Sequence, residues 1–216
     1  MDNSKTFPRD VFLYLLSIIT LITVSISLGI LLYQYINIQF PDILTEGYYW
    51  SKTATFSSIR NSMAVLLVVF PVFVWVSWFL RKDIFKNPEK RDLRIRRWLL
   101  YLTLFIATLV IIGDLVALLI SFLNGELTGR FLLKVLAVFS IAGSIFLHYF
   151  SELRDKSFSW MGVFDKIIIV LIAGSVVSGF WIAGSPAQQR TVRFDERRVN
   201  DMSSIQYQVI YYWQHK

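Results

Sequence analysis

Five long apolar blocks alternate with polar segments along the chain. A bilayer core about 30 Å thick needs about 20 apolar residues of helix, and in hydrocarbon each helix must satisfy its own backbone hydrogen bonds. Each block is therefore predicted to be a transmembrane helix, and residues 1–189 an all-α bundle of five such helices. The predicted spans are residues 11–36, 61–80, 98–123, 131–150 and 167–184.

The distribution of basic residues predicts how the chain is oriented. The second polar segment, residues 81–97, carries eight Lys and Arg, whereas the first, residues 42–60, carries only Lys52 and Arg60. Cytoplasmic loops of membrane proteins are enriched in Lys and Arg. We therefore expect a multi-pass protein of the cytoplasmic membrane with its N-terminus in the cytoplasm and its C-terminus outside. The first block is too long for the apolar core of a signal peptide, so we expect it to be retained.

The amino-acid composition excludes several classes of protein and several kinds of site. Of the 216 residues, 55% are hydrophobic and 17% charged, which excludes an ordinary soluble globular domain. The chain has no cysteine and two histidines, so disulfides and thiolate metal sites are excluded, and we expect neither a metal nor a cofactor. No catalytic motif is present, which favours a protein that is not an enzyme. The net charge of +7 indicates anionic lipid rather than nucleic acid as the partner.

Charged residues within or beside the apolar blocks are the strongest candidates for a functional site. A carboxylate inside a span costs about 2.5–3.5 kcal/mol on insertion scales, so Asp114 should face the bundle and find a partner. The rise per residue of a helix places Lys134 near the depth of Asp114 in the membrane. Arg60 and Arg130 are further candidate partners of Asp114. Glu126 can pair with Arg130 at the mouth of the same group. The group is either an ion, proton or anionic-ligand site or an ion pair that fixes helix register.

Small residues predict how two of the helices pack. Ser175, Gly179 and Ala183 recur at four-residue spacing in the fifth span, and such faces let helix backbones approach closely in lipid. We expect this face to pair the fifth helix with the fourth, although small residues are also simply common in membrane helices. Pro71 predicts a kink in the second helix, and Thr128 is placed to cap the fourth.

Residues 190–216 form a polar tail with an apolar stripe. Apolar side chains recur at three- and four-residue spacing, which is typical of one face of an amphipathic helix. This helix is predicted to be extracytoplasmic and to lie on the outer leaflet, on the outer loops or on an envelope protein. The residues of the stripe are Val199, Met202, Ile205, Val209, Tyr212 and Trp213.

Several of these segments resemble one known family. Gly-Asp-Leu at residues 113–115, Gly-Glu-Leu-Thr at residues 125–128 and the charged run at residues 193–201 are similar to the pattern of the family named domain of unknown function 5671. Arg60 and Pro71 fit the same pattern. The resemblance implies a bacterial multi-pass membrane protein and brings no assigned activity with it.

Two functional hypotheses follow from these features. The first is a non-enzymatic scaffold or interaction subunit that presents the tail helix to an envelope protein. The second is a small ion- or solute-coupled transporter that uses Asp114 with Lys134 or Arg60. The bilayer is the expected partner in both, nucleic acid in neither, and the sequence indicates no oligomeric state.

Overall fold

A computed structural model describes residues 7–40, 52–87, 93–125, 128–154, 161–184 and 186–214. Within these residues every regular element is an α-helix, which confirms the predicted all-α class. Five of the six described helices are long and apolar enough to cross a membrane, so the architecture is that of a polytopic membrane protein with an additional C-terminal helix. The helices are α1 (Phe7–Gln39), α2 (Lys52–Lys86), α3 (Arg94–Leu123), α4 (Gly129–Leu153), α5 (Met161–Ala183) and α6 (Pro186–Gln214).

Most of the membrane-type helices extend beyond the apolar blocks that predict them. The largest difference is in α2, which begins at Lys52 and ends at Lys86 although its apolar block covers residues 61–80. Charged and polar residues at a helix end can remain helical, because the apolar block marks the part that suits hydrocarbon and not the whole helix. Helix α2 also continues on both sides of Pro71, at which the sequence predicts a kink.

Local signals set several helix ends. The Thr128 side chain accepts a hydrogen bond from the backbone N–H of Phe131 at 3.2 Å, which confirms its predicted role as the cap of α4. Gly125 and Gly184 follow α3 and α5 with φ of 70° and 75°, a left-handed conformation that glycine adopts without strain. Helix α6 begins at Pro186, a residue favoured in the first helical turn.

The chain forms two compact units, Met1–Val176 and Val177–Lys216. In the first unit α1 is central: it packs against α2, α4 and α3, and α3 packs against α4. The most completely buried side chains are on α1 and α2, namely Leu31, Ile59, Leu66 and Val76. The second unit contains the end of α5 and all of α6.

The predicted pairing of α5 with α4 through its small residues stays a prediction. Ser175, in the first unit, accepts a 2.6 Å hydrogen bond at its backbone carbonyl from the Tyr35 hydroxyl of α1. A tyrosine hydroxyl in apolar surroundings needs such a partner, which accounts for a link to α1. Gly179 and Ala183 are buried and belong to the second unit.

Candidate functional site

The side chain of Asp114, on α3, is half-buried. Its Oδ2 is buried and has no hydrogen-bond partner, and among the described residues Asp114 forms no ion pair. Tyr33 of α1 lies within electrostatic reach of this carboxylate. A buried polar oxygen without a partner is costly, so Asp114 is an unusual feature of the bundle.

The two basic residues of α4 that the sequence groups with Asp114 have neutral partners on α1. Lys134 Nζ lies 5.5 Å from the centroid of the Tyr33 ring, a cation–π contact. Arg130 donates two hydrogen bonds to Asn37 Oδ1, from Nε at 3.0 Å and from Nη2 at 2.8 Å. Lys134 and Asp114 therefore both approach Tyr33 without joining in an ion pair.

Of the remaining members of the predicted group, only Arg60 lies among the described residues. Arg60 lies half-buried on α2 and forms no ion pair with Asp114. Glu126 lies outside the residues that the structure describes. The structure thus brings together α1, α3 and α4 around Tyr33, and we call Tyr33, Asp114, Arg130 and Lys134 the Asp114 group.

A second polar assembly lies where α1, α3 and α5 begin and α2 and α4 end. We call its residues Arg81, Arg96, His148, Glu152 and Asp165 the basal cluster. Arg96 of α3 contacts Glu152 of α4 at 2.6 Å, and the Arg96 side chain is only 5% exposed. This short charge-assisted contact ties the beginning of α3 to the end of α4.

His148 is the centre of the basal cluster. Its Nδ1 lies 2.9 Å from Asp165 Oδ1 of α5, and its Nε2 lies 3.4 Å from Arg81 Nη2 of α2. Arg81 Nη2 also contacts Asp165 Oδ2 at 2.8 Å. Glu152 Oε2 is 4.0 Å from His148 Nε2. One imidazole therefore connects three helices, and carboxylates approach both of its nitrogens.

The first helix adds further charges at the same end. Asp10 of α1 is 4% exposed, and its carboxylate contacts Arg9 at 3.2 Å. Arg9 also reaches Asp83 of α2 at 3.6 Å. These contacts extend the ionic links to α1, so all five membrane-type helices have a charged side chain at this end.

The sequence alone does not distinguish the basal cluster from ordinary interfacial charge. His148 resembles a lone histidine at a membrane surface, and Asp165 and Glu152 resemble loop residues beside a span. The available signal is topological: Arg81, Arg96, Glu152 and Asp165 all fall at helix ends that an up-and-down bundle places on the same side. Among the described residues, no group of three His, Asp or Glu side chains is arranged to hold a metal ion.

These features define an all-α polytopic membrane protein with five membrane-type helices and a sixth, polar C-terminal helix. Residues 10–149 match the family described as "Domain of unknown function (DUF5671)", and because the match covers more than half of the chain, the protein belongs to this family. The match confirms the resemblance and includes most of α1, all of α2 and α3, most of α4, and the whole Asp114 group. No curated protein and no solved structure matches the chain.

Proposed function

We propose that this protein is a non-enzymatic scaffold or interaction subunit of the bacterial cytoplasmic membrane. In this proposal α1 to α5 anchor it, with the N-terminus in the cytoplasm, and α6 meets an envelope protein outside. The observation that carries the proposal is the apolar stripe of α6, which is exposed along its length. The orientation rests on the eight basic residues of residues 81–97.

The exposure of the stripe is high at each of its central positions. The exposed fractions are 62% for Val199, 71% for Met202, 60% for Ile205 and 56% for Val209. A contiguous exposed apolar surface on a soluble segment commonly marks an interaction site. Helices with anchors at three- and four-residue spacing are a recurrent means of docking into an apolar groove.

The opposite side of α6 provides an internal control for this proposal. At 100° per residue, Asn200 and Ser204 lie opposite the stripe, and both are exposed. The Ser204 hydroxyl donates to the backbone carbonyl of Asn200 at 2.9 Å, so it needs no outside partner. A charge placed on this side should not affect an apolar contact made by the stripe.

We expect Met202→Asp with Ile205→Asp to release the partner of α6 and leave the membrane bundle intact. Burying each such side chain contributes about 1.5–3 kcal/mol, and a buried unpaired carboxylate would add a further cost. The measurement is hydrogen exchange of α6 amides in native membranes. In the natural protein residues 199–209 should be protected well beyond a free peptide, and the double variant should lose that protection.

The matched control is Asn200→Asp with Ser204→Asp, which adds the same charge to the same helix and should preserve protection. Because the chain has no cysteine, Met202→Cys and Ser204→Cys can be labelled singly with a membrane-impermeant maleimide on intact cells. We expect rapid labelling at residue 204 and slow labelling at residue 202. Equally rapid labelling at both positions, with unprotected amides, would contradict the proposal.

The buried Oδ2 of Asp114 favours a second candidate function, a small ion- or solute-coupled transporter. A membrane-embedded carboxylate often marks an ion pathway or a proton relay. Within the described residues this oxygen has no hydrogen-bond partner, which leaves it available to a transported cation or proton. Tyr33 and Lys134 would then line the site from α1 and α4.

If transport occurs, we expect pH-dependent or voltage-dependent flux in proteoliposomes that Asp114→Asn abolishes. The amide keeps the size of the carboxyl group and removes its charge, so a loss of flux would report the charge itself. Asp195→Asn, on the exposed face of α6, is the control and should retain full flux. No flux above that of empty liposomes for the natural protein would exclude this candidate and leave the scaffold.

A further inference from the structure

We infer that His148 is a proton-binding site and that its protonation exchanges one partner of the imidazole for another. In the neutral state Nε2 accepts from Arg81, and in the protonated state Nε2 donates to Glu152. This inference goes beyond the proposed function, because it concerns the basal cluster and requires neither transport nor a partner of α6.

The neutral tautomer follows from the contacts of the ring. Nδ1 lies 2.9 Å from a carboxylate oxygen of Asp165, which can only accept. Nδ1 therefore carries the hydrogen. Nε2 then has a lone pair, which suits the guanidinium nitrogen of Arg81 at 3.4 Å. Both contacts of the neutral ring are thus accounted for by one protonation state.

A proton added to this ring must go to Nε2 and changes the electrostatics there. The new N–H faces the Arg81 cation at 3.4 Å, which it repels, and the Glu152 carboxylate at 4.0 Å, which attracts it. The 4.0 Å between His148 Nε2 and Glu152 Oε2 is too long for a hydrogen bond, but a small rotation of either side chain would shorten it to hydrogen-bond distance. Arg96 holds the other oxygen of Glu152 at 2.6 Å, so the acceptor is already positioned.

Arg81 keeps a second partner when it loses its contact with the imidazole, because its Nη2 also lies 2.8 Å from Asp165 Oδ2. Its side chain is 56% exposed, so the rest of the guanidinium can turn toward water at little cost. Asp165 keeps its bond to Nδ1 in both states. The exchange therefore alters the link between α2 and α4 and preserves the link between α4 and α5.

The charged groups around His148 favour the binding of a proton to its ring. Within the described part of the chain two carboxylates approach the ring, Asp165 at 2.9 Å and Glu152 at 4.0 Å, and one guanidinium, that of Arg81, at 3.4 Å. The ring is 24% exposed and therefore open to water. The titratable and charged groups that face this region are Arg9, Asp10 and Tyr14 of α1, Arg81 and Asp83 of α2, Arg96 of α3, Tyr149 and Glu152 of α4, and Asp165 of α5.

The test is a nitrogen-15 NMR titration of the histidine ring in full-length protein in nanodiscs, with His215→Gln present so that one imidazole remains. We expect the neutral form of His148 to carry its hydrogen on Nδ1 and the protonated form to carry hydrogen on both nitrogens. His148→Asn places an amide nitrogen near the position of Nδ1 and should fold while abolishing the signal.

Two variants distinguish partner exchange from a histidine that is merely exposed. Arg81→Met removes the repelling cation and should raise the titration midpoint, whereas Glu152→Gln removes the attracting charge and should lower it. Glutamine keeps an acceptor for Arg96, so the fold should be retained. Arg198→Met on α6 should leave the midpoint unchanged. A ring that stays neutral to pH 5, a neutral form protonated on Nε2, or midpoints that move in the same direction in both variants would each overturn the inference.

Discussion

Replacing Glu152 by leucine should destabilise the bundle by about 3–5 kcal/mol, the usual cost of removing one partner of a buried ion pair. The reason is the burial of the other partner: the Arg96 side chain is 5% exposed, whereas that of Glu152 is 33% exposed. The opposite change, Arg96→Met, leaves a carboxylate that water can partly solvate, so it should cost less. The free energy of unfolding in mixed micelles measures both.

The double variant separates a lost pair from two independent losses. With Arg96→Met and Glu152→Leu together, neither charge of the pair remains, so the destabilisation should be smaller than that of Glu152→Leu alone. The control is Arg198→Met, which breaks an exposed pair with Asp195 at 3.8 Å and should change nothing measurable. If the double variant equals the sum of the single ones, Arg96 and Glu152 are not coupled.

The hydrophobic pattern predicts the architecture well because a bilayer leaves few alternatives. Lipid requires long apolar blocks and a fully hydrogen-bonded backbone, and all five predicted spans are helices. Short local signals are equally reliable, as Thr128 shows by capping α4. The ends of α2 are less predictable, because helix propensity and packing, and not hydropathy, determine where a helix stops.

The candidate sites are harder to predict because depth along a helix does not give rotation about its axis. The rise per residue brings Lys134 within reach of the depth of Asp114, yet an ion pair also requires that both side chains point at each other. Helices α3 and α4 instead direct these two residues toward Tyr33 of α1. Tyr33 carries no signal of its own in the sequence, since an aromatic residue near a helix end is ordinary in a membrane protein.

The basal cluster illustrates the same difficulty with charges that lie at the ends of the membrane-type helices. Each of Arg81, His148 and Asp165 is unremarkable in its own segment, and only the packing of three helices brings them within 3.4 Å of one another. The match to the family ends at residue 149, so Glu152 and Asp165 lie beyond it. The two carboxylate partners of His148 can therefore be identified from the structure and not from the shared family pattern.

Packing in a bilayer differs from packing in water, and the pair Leu66 and Leu67 on α2 tests that difference. Leu66 is 1% exposed and Leu67 is 50% exposed, although they are neighbours in the sequence. Helix α2 packs closely against α1, so Leu66 lies within that contact. Lipid tails are as apolar as leucine, so neither residue gains stability from avoiding water.

Leu66→Ala should therefore destabilise the bundle by about 2 kcal/mol, the lower end of the ~2–5 kcal/mol range for buried leucine, because only the cavity and the lost dispersion contacts count. Leu67→Ala should change the unfolding free energy by no more than ~0.5 kcal/mol, since lipid fills the space of the missing atoms. Unfolding by denaturing detergent in bicelles measures the two variants side by side. Equal losses from both would mean that α2 does not present Leu66 to α1, and the central position of α1 would have to be abandoned.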